Sequence, residues 1–151
     1  MTAVIDRQSE LVEIGRFLDA VAGGDSRQIL LSGQAGIGKT TLWNAGIQSA
    51  TERGYRVVTA RPTEVETGLA FAALGDLLGP LLDLPMADLP TPQRDALDAA
   101  LLRTTAASPP QPLGVSLATL NVLRAAATDT PVVIAIDDVP WIDEASARVE
   151  L

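Results

Sequence analysis

Eight consecutive residues, Gly33-Gln34-Ala35-Gly36-Ile37-Gly38-Lys39-Thr40, restrict what this chain can fold into more than any other feature. A glycine, four residues, a second glycine, a lysine and a threonine acquire physical meaning when an apolar strand precedes them and a helix follows. Both flanks are present. Ile29-Leu30-Leu31 is a short continuous apolar run, as expected of a strand buried on both faces. Thr40 to Arg53 reads as a helix ended by Gly54, and the β-branched stretch Tyr55 to Ala60 as a second strand. Strand, glycine loop, helix and strand form one βαβ unit, whose crossover is expected to be right-handed.

A loop of this kind holds phosphate by converging backbone N–H groups on it, which requires positive φ and no Cβ against the ligand. Gly33, Gly36 and Gly38 meet that need. The following helix adds its N-terminal dipole, equivalent to roughly half a positive charge. Lys39 is expected to reach the β- and γ-phosphate oxygens, and the Thr40 hydroxyl to coordinate a bridging Mg2+. Gln34, Ala35, Ile37 and Thr41 complete the nucleotide-binding set, with packing or a local hydrogen bond as the alternative role of Thr41. The dinucleotide fingerprint glycine-x-glycine-x-x-glycine is absent, so nothing points to NAD.

Composition narrows the chemistry. The 151 residues amount to about one domain, or part of one. With 11 basic and 19 acidic side chains the net charge is −8, so the molecule as a whole repels nucleic acid and anionic membranes and any anion site must be local. Cysteine and histidine are both missing. Disulfides and thiolate zinc sites are therefore excluded, and chemistry rests on carboxylates, lysine, hydroxyls and backbone. The N-terminus lacks a basic start followed by an apolar stretch, and no apolar run approaches the roughly 18 residues of a membrane span, so a cytoplasmic location is expected.

The rest of the chain alternates helical and apolar signals. Leu11, Ile14, Phe17, Leu18 and Val21 recur at helical spacing from Ser9 to Val21, with Asp6 as the cap and Gly23-Gly24 as the stop. Leu69 to Leu82 reads as helix broken near Pro80. Thr91-Pro92 supplies a cap and a first-turn proline for a helix to about Ala106, and Leu113 to Ala127 gives another. Val132 to Ile136 reads as a third buried strand, carrying Asp137 and Asp138 at the carboxyl end where open α/β sheets bind ligands. Asp137 is expected to hold Mg2+ through its waters, and Asp138 to orient or deprotonate an attacking water. A surface turn with two solvated acids is the alternative. Arg61, Glu64 and Glu66, just beyond the second strand, read as a solvated loop, with facing the site as the alternative, and Trp141 as a packing anchor rather than a ligand contact.

Through GQAGIGKTTLW, the stretch RGYRVVTARPTEVETGLAFAALGDLLGPLL and AIDDVPWIDEAS, the sequence resembles the ATP-binding region of the STAND class of signalling NTPases. Within that class it is most similar to the large ATP-binding LuxR-type transcriptional regulators of bacteria. The resemblance implies an α/β P-loop NTPase of the AAA-like kind, a parallel sheet flanked by helices, with residues 1–151 forming the ATPase domain and a helical insertion at about 66–128. It implies ATP or ADP with Mg2+ as ligand, Lys39 and Asp138 as catalytic groups, and slow hydrolysis that switches a longer protein. It also places Arg7 at the border of the adenine pocket, against a helix-capping or surface role; family members carry glycine before that arginine, where this chain has Asp6. In this class the strand after the acidic one inserts between the loop strand and the acidic strand. Leu151 precedes it, so the expected domain is incomplete at its C-terminus, without direct nucleic-acid contact and prone to self-association or to contact with further domains. The alternative function is a non-catalytic fragment that binds nucleotide or a partner.

Overall fold

The computed structural model describes residues 7–82, 89–105 and 108–149. It opens with helix α1 (Gln8–Ala22), on which Ile14 and Leu18 form the buried stripe. Asp6, the expected cap, lies outside the described residues, and Arg7 occupies the N-cap without a side-chain cap bond. After the glycine loop come α2 (Lys39–Glu52) and β1 (Arg56–Ala60), joined through Gly54 at φ 79. Three short helical segments follow in quick succession. A 3-10 turn (Glu64–Gly68) leads into α3 (Ala72–Leu78), and a second 3-10 turn (Gly79–Leu81) carries Pro80 where the helix was expected to break. Then come α4 (Thr91–Ala100), α5 (Pro112–Ala126), β2 (Val132–Ile136), a 3-10 turn (Val139–Trp141) and the short α6 (Glu144–Ala147).

Among the described residues the sheet has two strands, β1 and β2, paired in parallel with Ala60 opposite Ile136. The larger core packs α3, α4 and α5 over one face through Leu74, Leu77, Leu78, Leu97, Val115 and Val122, with Val58 and Ala60 from β1. A smaller cluster on the other side joins α1 and α2 to Leu31, Val57 and Val133 through Ile14, Leu18, Leu42 and Ala50. Alternate residues of β1 and β2 enter opposite clusters, as the two-residue period of a strand requires. The result is a helix-flanked parallel α/β sheet.

Three expectations change. Ile29-Leu30-Leu31 is extended but is not a strand: no described strand pairs with it, and among the described residues no backbone–backbone hydrogen bond reaches residues 26–32. A ladder needs a neighbour, and periodicity reports only one chain's contribution to it. Leu31 alone packs inward; Leu30 is 76% exposed and Ile29 38%. β2 is also less buried than its apolar run implies, all five residues being intermediate. Finally, α4 begins at Thr91 behind Pro90 rather than being capped by Thr91, and it stops at Ala100. The stop is a left-handed Leu102 at φ 54 with Arg103 N–H donating to Asp98 O at 2.8 Å, the six-to-one bond that closes a helix.

Candidate functional site

The glycine loop is shaped by its backbone. Gly36 at φ 76 and Gly38 at φ 97 occupy left-handed conformations that side chains rarely adopt, which turns the chain back on itself before α2 begins. Gly33 has a different reason to be glycine, since a Cβ there would lie 3.0 Å from Ile37 Cγ2. One backbone bond forms inside the loop, from Ile37 N–H to Gln34 O at 3.3 Å. Lys39 curls over it, its ammonium donating to Gly33 O at 3.0 Å and Gln34 O at 3.1 Å. The positive charge is thereby held at the loop by two of its own carbonyls. Thr40 is exposed on the first turn of α2, whose leading N–H groups lie outside the helical ladder, and Thr41 is half-buried.

Arg7 reaches this loop from α1. Its guanidinium donates to the Ile37 carbonyl and pairs with Glu10 at 2.9 Å. Glu10 is held below the usual carboxylate range, first by the Ser9 hydroxyl and then by its own backbone N–H and Arg7. Arg7 is thus neither a side-chain helix cap nor an isolated surface charge, but a brace between α1 and the far wall of the glycine loop.

The acidic residues leave β2 as the sequence indicates. Asp137 N–H donates to Ala60 O at 3.1 Å, extending the ladder one residue beyond the strand. Asp138 N–H donates to the Asp137 carboxylate at 3.1 Å. Asp138 itself is left-handed at φ 51, a conformation that aspartate tolerates better than most residues, and its carbonyl accepts from Trp141 N–H at 2.9 Å. Leu31, two residues before Gly33, and Val133, four before Asp137, share the smaller apolar cluster, which gives the loop and the acidic end a common base. No hydrogen bond or ion pair joins the two directly among the described residues. Trp141, expected as a packing anchor, is 39% exposed.

Two participants escape the sequence reading. Arg61 is not a freely solvated loop residue: its guanidinium stacks 4.3 Å from the centre of the Trp43 ring and donates to Asn44 Oδ1 at 3.0 Å, both on α2. Asp143, 2% exposed, accepts from Phe71 N–H at 2.8 Å, Ala73 N–H at 3.2 Å and Ser146 N–H at 2.8 Å. Ser146 Oγ in turn accepts from Leu74 N–H at 3.0 Å. The pair caps α3 from a distant segment while Asp143 also caps α6. Burial alone would raise the Asp143 carboxyl, but the Ser146, Phe71 and Ala73 donors outweigh it and hold it below the ordinary value. The Asp-x-x-Ser spacing signals the local cap of α6; nothing in it signals the reach to α3.

The donor set suits a phosphate and its magnesium. Mg2+ is bound through one or two carboxylates, hydroxyls and phosphate oxygens, all hard oxygen ligands, and Asp137 and Thr40 supply donors of that kind. The open depression beside Ala99, Leu102, Thr104 and Pro110 is lined by none of these residues. No described helix is long and apolar enough to cross a membrane. A protein-family model described as AAA ATPase domain matches residues 3–151. No curated protein and no solved structure matches the chain.

Proposed function

The chain belongs to the AAA ATPase domain family, and on that premise we propose that it is the ATP-binding, slowly hydrolysing switch module of a LuxR-type transcriptional regulator of the STAND class. The observation that carries the reading is a family match spanning residues 3–151 around a loop in which Gly36 and Gly38 are left-handed and whose lysine is already held at it. Domains of this family bind ATP with Mg2+. In the proposed site the amides of residues 33–41 surround the phosphates and Lys39 neutralises the β- and γ-oxygens. Thr40 and Asp137 hold the metal, and Asp138 orients the water that attacks the γ-phosphorus. Asp138 is one methylene shorter than glutamate, which supports slow turnover. The LAFAALGDLLGPLL and DDVPWID stretches support the regulator assignment over a metabolic kinase.

Calorimetry of ADP and ATP binding with Mg2+ tests the site, and phosphate release tests turnover. The expected result is saturable binding that Lys39→Ala weakens, with a turnover well below the enzyme median of about 10 s−1 that Asp138→Ala abolishes. Absence of binding by folded protein would sink the reading. A second reading, a nucleotide- or partner-binding module without turnover, is favoured by the exposed apolar segment at Ile29 and Leu30. Binding without phosphate release in both wild type and Asp138→Ala would select it.

A further inference from the structure

We propose that Arg61 is a positioning residue that sets the separation of the two metal-side donors, Thr40 on α2 and Asp137 after β2. The inference rests on the nucleotide site proposed above. Arg61 follows Ala60 directly, and the Ala60 carbonyl holds Asp137 N–H at 3.1 Å, so the parallel register puts Arg61 beside the acidic strand end. Its guanidinium carbon lies over the Trp43 ring of α2, 4.3 Å from the centroid, and the guanidinium donates to Asn44 Oδ1 at 3.0 Å while the side chain remains exposed. Asn44 is four residues after Thr40, hence on the same helix face and one turn away, about 5–6 Å between Cβ atoms. A continuous chain of contacts results: Thr40 to Asn44 through one turn, Asn44 to Arg61, Arg61 to Ala60 through one peptide, and Ala60 to Asp137.

Among the described residues this is the one side-chain hydrogen bond that ties α2 to the carboxyl end of the sheet; the other α2–sheet contacts are apolar and lie deeper. Apolar packing permits sliding, whereas a planar guanidinium stacked on a ring and bonded at its edge fixes both distance and angle. The geometry suits Mg2+, which demands near-ideal octahedral ligation at a short metal–oxygen distance and therefore punishes small errors in donor spacing. Phosphate held by several loop amides and a lysine is more forgiving.

The test is calorimetric titration of the chain with ADP, with excess Mg2+ and again with EDTA, for wild type, Arg61→Met and Asn44→Ala. Groups bonded directly to metal ligands typically contribute about 10–100-fold to metal affinity, and Arg61, acting one contact further out, belongs at the low end of that range. The expected result is about tenfold weaker binding of Mg-ADP in both variants, with metal-free ADP binding within about twofold of wild type. Arg61→Lys, which keeps the charge but loses the planar fork, should recover only part of the loss. Circular dichroism checks folding, and Asn44→Ala cuts the same tie while leaving Arg61 on Trp43, so a poorly folded Arg61→Met does not decide the matter. Equal losses with and without Mg2+, or no loss in either variant, overturn the proposal while leaving the nucleotide site standing. Failure of wild type to bind ADP at all overturns the nucleotide reading itself, and this inference with it.

Discussion

Lys39 and Asp143 show how differently two single residues express themselves. Lys39 is exposed enough that its two carbonyl contacts contribute little to stability, so its substitution should act on ligand alone. Hydrogen bonds to charged groups are worth about 1.5–3 kcal/mol, so Lys39→Ala should weaken ADP binding by about 10- to 100-fold with an unchanged unfolding midpoint, measured by calorimetry and thermal melts. Asp143 is the reverse case. Removing its carboxylate leaves the N–H groups of Phe71, Ala73 and Ser146 without a partner at a buried site, so Asp143→Ala should cost about 2 kcal/mol or more in denaturant unfolding. Its depressed pKa fixes the sign of the pH effect. The stabilisation is fully present above the unfolded carboxyl value of about 3.9 and is lost as pH falls through the lower folded value. Wild type should therefore lose more stability than Asp143→Ala between pH 5 and pH 2, about. Lys39 was legible because its role is written in eight adjacent letters. Asp143 was legible only within the DDVPWID stretch and as a local cap, because its other partners, the Phe71 and Ala73 amides, lie some seventy positions away and are backbone groups that no side-chain pattern encodes.

At the level of elements, α4 and α5 approach closely at Gly114, where an added Cβ would lie 2.8 Å from Ala96 Cβ. The helices must separate to admit even a methyl group, so Gly114→Ala should destabilise the fold by about 1–3 kcal/mol despite its favourable helix propensity. Equal or higher stability in a urea titration would contradict the close packing. The elements that were readable from sequence are those whose signals are self-contained: α1 and α5 from their apolar stripes, β1 from its β-branched run, the break at Pro80 from the proline ring. Those that were misread depend on something outside the segment. Ile29 to Leu31 has the composition of a strand and lacks a described partner. The end of α4 is set by a left-handed leucine, a conformation that leucine composition does not announce. Arg61 was assigned to a solvated loop because its partners, Trp43 and Asn44, come from the preceding helix.

For the whole molecule, two opposing tendencies govern association. A net charge of −8 on 151 residues keeps copies apart, while the extended segment at Ile29 and Leu30 offers apolar side chains and backbone groups without ladder partners. Charge repulsion is long-ranged and falls off over a Debye length of about 10 Å at 0.1 M salt, whereas strand pairing and apolar contact act at touching distance and are insensitive to salt. Self-association should therefore increase from low to moderate ionic strength, as read by sedimentation velocity. Leu30→Lys separates the two contributions because they respond to it in opposite directions. The substitution changes the net charge from −8 to −7, by adding one positive charge to the tally, and so weakens repulsion slightly. It also places a lysine on the unpaired segment, the device by which edge strands resist pairing. If the segment drives association, Leu30→Lys should remain monomeric at salt concentrations where wild type does not; if net charge alone governs it, the variant should associate at least as readily.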